Sequence, residues 1–274
     1  MLNNKNKTYL LIGLVFIVGI VVFLYINDKN KTIYLKTREN LINKFNEKIE
    51  EKKDVALVSS LLLSQNSVLI KAIQTDNQNL AYNELKNISK IYKEYTKFKN
   101  IKIHIHTDDL HSFLRVWNRN KYGDYLGDFR STIVWVKNNK KPIVSLEIGR
   151  AGLAIRGIAP IIQENKYLGS IEVIEGLNSI SKDLLKDGIN VLILMKKEYL
   201  DIAKLFKYDV LVGNRYVLAL NPNTYKKTFL YEIQDNISKL NLNYFITDNF
   251  FVVKIPLKDF EGNIIGYAVI GERL

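Results

Sequence analysis

Between Leu110 and Glu175 the chain places charged residues inside runs that otherwise alternate like buried strands. The residues in question are Arg115, Trp117, Tyr122, Arg130, Ser145, Glu147, Arg156 and Glu172. Their chemistry is that of recognition. An arginine grips a carboxylate through two parallel N–H bonds, a glutamate receives an ammonium or hydroxyl group, and aromatic rings wall a cavity or stack on its occupant. Arg150 falls in an expected tight turn, and Asp124 and Asp128 read as turn formers or caps.

Catalytic chemistry has little to draw on. There is no cysteine, which removes disulfides, thiolate metal sites and thiol nucleophiles. No G-x-S-x-G, phosphate-binding loop or H-E-x-x-H occurs, so no enzyme activity and no cofactor are expected. The chain's three histidines, His104, His106 and His111, stand near Asp108 and Asp109. His104 and His106 alternate on one strand and share a face, which makes a metal site the alternative reading. Hydrogen bonding or packing at a sheet edge is the simpler role for them. A ligand-free structural or interaction module is a further alternative. The glycines at 149, 152, 157 and 169 fit turns and close strand packing better than phosphate binding, since none opens a helix after a strand.

The elements that position these groups follow from periodicity. A chain of 274 residues with 47% hydrophobic and 25% charged content closes a real core. The formal charge of +12 is spread without a dominant Lys/Arg block, so nucleic acid is not expected as a partner. Tyr9 to Ile26 carries no charge and is long enough to cross a hydrocarbon core of roughly 30 Å. Lys5 and Lys7 precede it and no small-x-small site follows, the pattern of an uncleaved anchor. Lys31 to about Leu63 reads as a long amphipathic helix, followed by helices over Ser67 to Thr75 and Asn79 to Lys97. From Ile101 the period becomes two, with strands in IKIHIH, STIVWVK, PIVSLEIG, GLAIRGIAPII and YLGSIEVIE and a helix from Asn178 to Lys186. A second segment from Ile189 has strands at 189–195, 210–212, 216–220, 244–247, 250–257 and 264–270, with helices over 198–206 and 228–240.

The fold class is therefore α+β: a long N-terminal membrane and stalk helix followed by two antiparallel sheets in series. If Asn138–Lys141, Arg150–Ala151 and Gln163–Asn165 are turns, strands from Ser131 to Glu175 form a four-stranded meander of fixed parity. One face then carries Ile133, Trp135, Val144, Leu146, Ile148, Leu153, Ile155, Ile171 and Val173, and should pack on the long helices. The other carries Arg130, Thr132, Val134, Val136, Ser145, Glu147, Arg156, Ser170 and Glu172, with Arg156 opposite Glu172 and Ser145 on its other side. The helix and loop from Asp109 to Asp128 would cover this polar face, adding Arg115, Trp117 and Tyr122 above a floor of Arg130, Ser145, Glu147, Arg156 and Glu172.

These residues also resemble a family. IHIHTDDLHSFLRVWNRNKYGDYLGDFR, VSLEIGRAGLAIRGIAPI and YLGSIEVIE look like the periplasmic double Cache domain of bacterial chemoreceptors (methyl-accepting chemotaxis proteins) and related sensors, of the dCache_3 type. PLKDFEGNIIGYAVIGERL is similar to the closing hairpin of Cache modules. With residues 1–8 read as a cytoplasmic tail and 9–26 as the span, the resemblance implies two tandem PAS-like (Cache) modules after stalk and packing helices at 27–98: a membrane-distal module at 99–187 and a membrane-proximal one at 188–274. It implies an inner-membrane protein with its bulk outside the cytoplasm, a small carboxylate or amino-acid-like ligand in the distal module, and a homodimer through the stalk helix. In related amino-acid-binding Cache domains an Arg-x-Trp pattern holds the ligand carboxylate, which Arg115 and Trp117 match. Glu147 or Glu172 is available for the amine. Receptors of this kind continue into a second span, a HAMP linker and a signalling coiled coil. With Leu274 as the last residue, a truncated receptor or a separate binding subunit is expected.

Overall fold

The computed structural model describes residues 4–96, 101–208 and 210–274, and the side chains of all these from residue 14 onward. The expected tail at 1–8, the first residues of the apolar run, the end of the helix drawn to Lys97 and the boundary at 98/99 thus lie wholly or partly outside it. The chain divides into two compact units, 1–43 and 44–274. In the first, the helix α1 (Asn4–Ser64 in full) carries the apolar run, and the large apolar side chains from Leu14 to Ile26 are 44–70% exposed. Among the described residues no single helix is long and apolar enough to cross a membrane, although α1 from Leu14 and the next helix pass that test together across a 64° bend.

The second unit begins with the remainder of α1, then α2 (Ser67–Gln74) and α3 (Gln78–Tyr95). Asn66 caps α2 by accepting from the amides of Val68 and Leu69, and Asn77 caps α3 by accepting from Leu80. The first sheet contains β1 (Lys102–Thr107), β2 (Ser112–Arg115), β3 (Ile143–Gly149), β4 (Gly152–Gln163) and β5 (Lys166–Glu175), in the antiparallel order β2-β1-β5-β4-β3. Its apolar face, with Ile103, Ile105, Ile155, Ile171 and Val173 buried, meets α1. The contact is close: a methyl added at Gly157 would lie 2.3 Å from the Ala56 backbone. Lys52 of α1 pairs with Glu175 at the end of β5, Nζ to Oε2 2.7 Å.

Several expectations are corrected here. Ser131–Lys137 is not a strand but most of α4 (Ser131–Asn139). Its β-branched residues favour a strand locally, yet the amide and hydroxyl of Thr132 donate to Glu147 (3.2 and 2.8 Å), satisfying the helix start, and Lys140 closes it in the left-handed conformation. Consequently Ile133, Val136 and, partly buried, Val134 and Trp135 pack with Leu110, Leu126 and Ile158. Trp135 does not face the long helices. The Asp109–Asp128 segment is not wholly a cover, because β2 joins the sheet as its edge strand, and β1 with both histidines lies inside the sheet.

Register is also corrected. Ser145 faces Arg156 and Gly149 faces Gly152 as expected, but Arg156 pairs with Ile174, not Glu172. The turn is only Glu164-Asn165, both at positive φ (49° and 62°), and an irregularity at Ile161/Ile162 completes the slip.

After α5 (Asn178–Lys186), the second sheet holds β6 (Ile189–Lys196), β7 (Leu211–Val212), β8 (Tyr216–Leu218), β9 (Tyr244–Ile246), β10 (Phe250–Lys258) and β11 (Ile264–Arg273), in the order β7-β8-β6-β11-β10-β9. The helix expected over 198–206 is a short 3₁₀ segment, Lys197–Asp201. That expected over 228–240 is α6 (Lys227–Asp235) followed by a 3₁₀ turn, Ile237–Asn241. The sheets meet where Leu205 donates its amide to the Arg150 carbonyl at the β3–β4 turn, 2.8 Å.

Candidate ligand-binding site

The pleat of the first sheet puts Arg115, His104, His106, Ser170, Glu172, Arg156, Ser145 and Glu147 on the face opposite α1, across all five strands. All of them are buried, because α4 and the segment from Val116 to Arg130 cover them. Burial of so many charges is tolerable only if they satisfy one another.

Glu172 is the hub. It accepts from Arg156 Nη1 at 2.9 Å and from Arg130 Nη2, both through Oε1. Its Oε2 lies 3.3 Å from His104 Nδ1 and 3.5 Å from His106 Nε2. Burial alone would push this carboxyl up, but Arg130 and Arg156 outweigh it and hold it well below the usual carboxylate range. Arg130, the residue before α4, also donates Nε to Glu147 at 2.8 Å. Burial works against its charge, yet the two glutamates raise its pKa above the ordinary arginine value. Arg156 is shifted the opposite way, by burial and then by neighbouring Arg130. Its Nε has no hydrogen-bond partner and stands 3.8 Å from Glu147.

The histidines complete the floor. His104 Nε2 lies 2.8 Å from Ser112 Oγ, His106 Nδ1 lies 2.9 Å from Ser170 Oγ, and His106 Nε2 lies 3.0 Å from His104 Nδ1. Burial, then the neighbouring His106, keep His104 well below its normal pKa, and burial lowers His106 as well. His111 stands apart, with Nδ1 3.1 Å from Asp109.

Above this floor lies a cavity of about 870 Å³. It is bordered by Lys102, His104, Arg115, Trp117, Lys121, Phe129, Arg130 and Arg156, and continues past the Arg150–Gly152 turn to Lys182 of α5 and to Phe206, Lys207, Asn221, Asn223 and Thr224. Its basic residues far outnumber its one acid, Glu175, which Lys52 already engages. Of the expected site residues, Arg115, Trp117, Arg130 and Arg156 border the cavity. Glu147 and Glu172 are buried beneath as charge partners, Ser145 donates to the Leu146 carbonyl at 2.9 Å, and Tyr122 stands 57% exposed away from it. Arg115 is engaged by Asp124, and Trp117 packs edge-on to His104 at 5.9 Å with Lys102 over its ring at 5.6 Å.

Sequence reasoning names His104 and His106 only for an alternative metal site and Thr132 and Ser170 only as members of the polar face, and it misses Ser112 altogether. The alternation in IKIHIH puts both histidines on one face, but which face becomes apparent only once β1 is known to pair with β5.

The double-sheet fold agrees with comparisons to known proteins. No curated protein matches the chain. Solved structures do. The sensor domain of the Vibrio cholerae histidine kinase DctB is 10% identical with a TM-score of 0.54, covering 88% of this chain and 97% of that one. The periplasmic domain of Vibrio cholerae LuxQ is also 10% identical, with a TM-score of 0.50 over 88% and 99%. At such identity these likenesses establish the fold. The family model described as "double sensory domain of two-component sensor kinase", dCache_3, matches residues 34–273, and the chain belongs to that family of double Cache sensor domains.

Proposed function

We propose that this chain is a membrane-anchored, extracytoplasmic sensing domain whose first module binds a small carboxylate or amino-acid-like ligand over its polar sheet face. The observation that carries this reading is Arg156. Its guanidinium is 5% exposed, spends Nη1 on Glu172, leaves Nε without a hydrogen-bond partner and borders a cavity rich in basic groups. A buried donor left unmade is costly, and an anionic oxygen is the group that would satisfy it. The cavity volume suits a small molecule. Anchoring is supported by the uncharged run ending at Ile26, whose side chains from Leu14 are exposed around the helix.

The test is a thermal-shift screen of the detergent-solubilised chain against small carboxylates and amino acids. The proposal expects at least one to raise the melting temperature, and Arg156→Met to abolish the rise while remaining folded. A panel without stabilising compounds, or one whose hits bind Arg156→Met equally well, would sink it. Membrane fractionation of the intact chain against one lacking residues 1–26 tests the anchor.

A further inference from the structure

Three acceptor-capable atoms converge beneath the cavity: His104 Nδ1, His106 Nε2 and Glu172 Oε2. Their separations are 3.0, 3.3 and 3.5 Å. Zinc-like ions bind imidazole nitrogen and carboxylate oxygen at about 2.0–2.2 Å, so the edge of a tetrahedron around such an ion is roughly 3.3–3.5 Å. The observed triangle is close to one face of that tetrahedron.

The remaining ring atoms support the same occupant. Ser112 Oγ and Ser170 Oγ sit beside His104 Nε2 and His106 Nδ1 at 2.8 and 2.9 Å. If each ring donates to its serine, both inward nitrogens carry lone pairs. That is the arrangement in which a metal-binding imidazole gives its far N–H to an outer acceptor. Glu172 divides its carboxylate similarly. Oε1 takes Arg156 and Arg130, while Oε2 receives from arginine only a long 3.4 Å contact. In that tautomer three lone pairs face one another, and a cation seated among them would satisfy all three.

We infer that His104, His106 and Glu172 form a binding site for a divalent transition ion of the zinc, cobalt or nickel class. His111, paired with Asp109, has no part in it. Arg130 and Arg156 together balance Glu147 and Glu172, so the ion brings uncompensated positive charge into the floor. An anion in the cavity bordered by His104 offsets that charge, and carboxylate and metal should strengthen each other's binding.

The experiment is titration of the untagged, detergent-solubilised full chain with cobalt(II), read by visible absorption, followed by displacement with zinc and elemental analysis. About one ion per chain with a tetrahedral cobalt spectrum is expected. Ser170→Ala should weaken binding about 10- to 100-fold while the protein stays folded, and His106→Gln should abolish it. His111→Ala should change nothing. Absence of the cobalt band in the wild-type chain would overturn the inference, as would binding that survives His106→Gln or is lost on His111→Ala.

Discussion

Arg115 is held end-on by Asp124: Nη1 meets Oδ1 at 2.6 Å and Nη2 meets Oδ2 at 2.9 Å, while Nη1 also donates to the Lys121 carbonyl at 2.7 Å. The arginine that the Arg-x-Trp pattern marks for a ligand carboxylate thus already holds a carboxylate of its own chain. Its place in the edge strand lets it pin the covering segment.

Asp124→Asn should loosen that segment and lower stability by on the order of 1 kcal/mol, because the pair is partly exposed. Burial opposes the charge of Asp124, but Arg115 prevails and lowers its pKa. A depressed carboxyl contributes stability that is present above its unfolded pKa near 3.8 and is lost as pH falls through the folded value. The difference in melting temperature between wild type and Asp124→Asn should therefore hold steady above about pH 5 and shrink toward zero in stronger acid. A difference that grows on acidification would contradict this role.

Arg130 and Arg156 should separate in their effects. Arg130 bridges Glu147 and Glu172, so Arg130→Ala leaves two buried carboxylates short of a partner and should cost about 3–5 kcal/mol in urea unfolding. Arg156→Met removes a guanidinium with an unmade donor and should cost clearly less. Equal losses would show that Arg156 is as structural as Arg130.

Lys52→Met tests the attachment of α1 to β5. Burial already pushes the Glu175 carboxyl up against the opposing pull of Lys52. Without the lysine it should rise further. A carboxyl raised in the folded state binds protons more strongly there than in the unfolded chain, so stability falls as pH climbs from its ordinary value of 4.5 through the folded one. Melting curves of the variant should decline more steeply than wild type between mild acid and neutrality.

Gly157→Ala is the packing test. The added methyl would sit 2.3 Å from Ala56 backbone atoms, and neither backbone can yield as a side-chain tip can. A loss of about 1–3 kcal/mol is expected, measured by denaturant unfolding. An unchanged midpoint would mean that α1 is not seated on β4 at this point.

Much of this organisation is legible from residue order. The alternation in PIVSLEIG, GLAIRGIAPII and YLGSIEVIE specifies both faces of β3–β5, and the Arg150-Ala151 turn sets Ser145 against Arg156. What stays hidden depends on distant partners. STIVWVK has strand-like composition, and only Glu147, contributed by β3, supplies the acceptors that start a helix there. Glu172 is reached by Arg156 diagonally, because the two-residue turn and the irregularity at Ile161/Ile162 offset their pairing. The histidines join the floor only through the β1–β5 pairing, a long-range contact that no local pattern announces.

That pairing also bears on how the protein is made. β5 is the last strand of its sheet to leave the ribosome, yet it lies in the middle, and Glu172 reaches His104 across a sequence separation of 68 residues. Closing so long a loop is slow, and nothing rewards it until the central strand arrives. Before then β1–β2 and β3–β4 are two hairpins without a common floor, and their arginines and histidines have no shared counter-ion. Recognition capacity should therefore arise in a single late step of biogenesis, with no partially competent precursor.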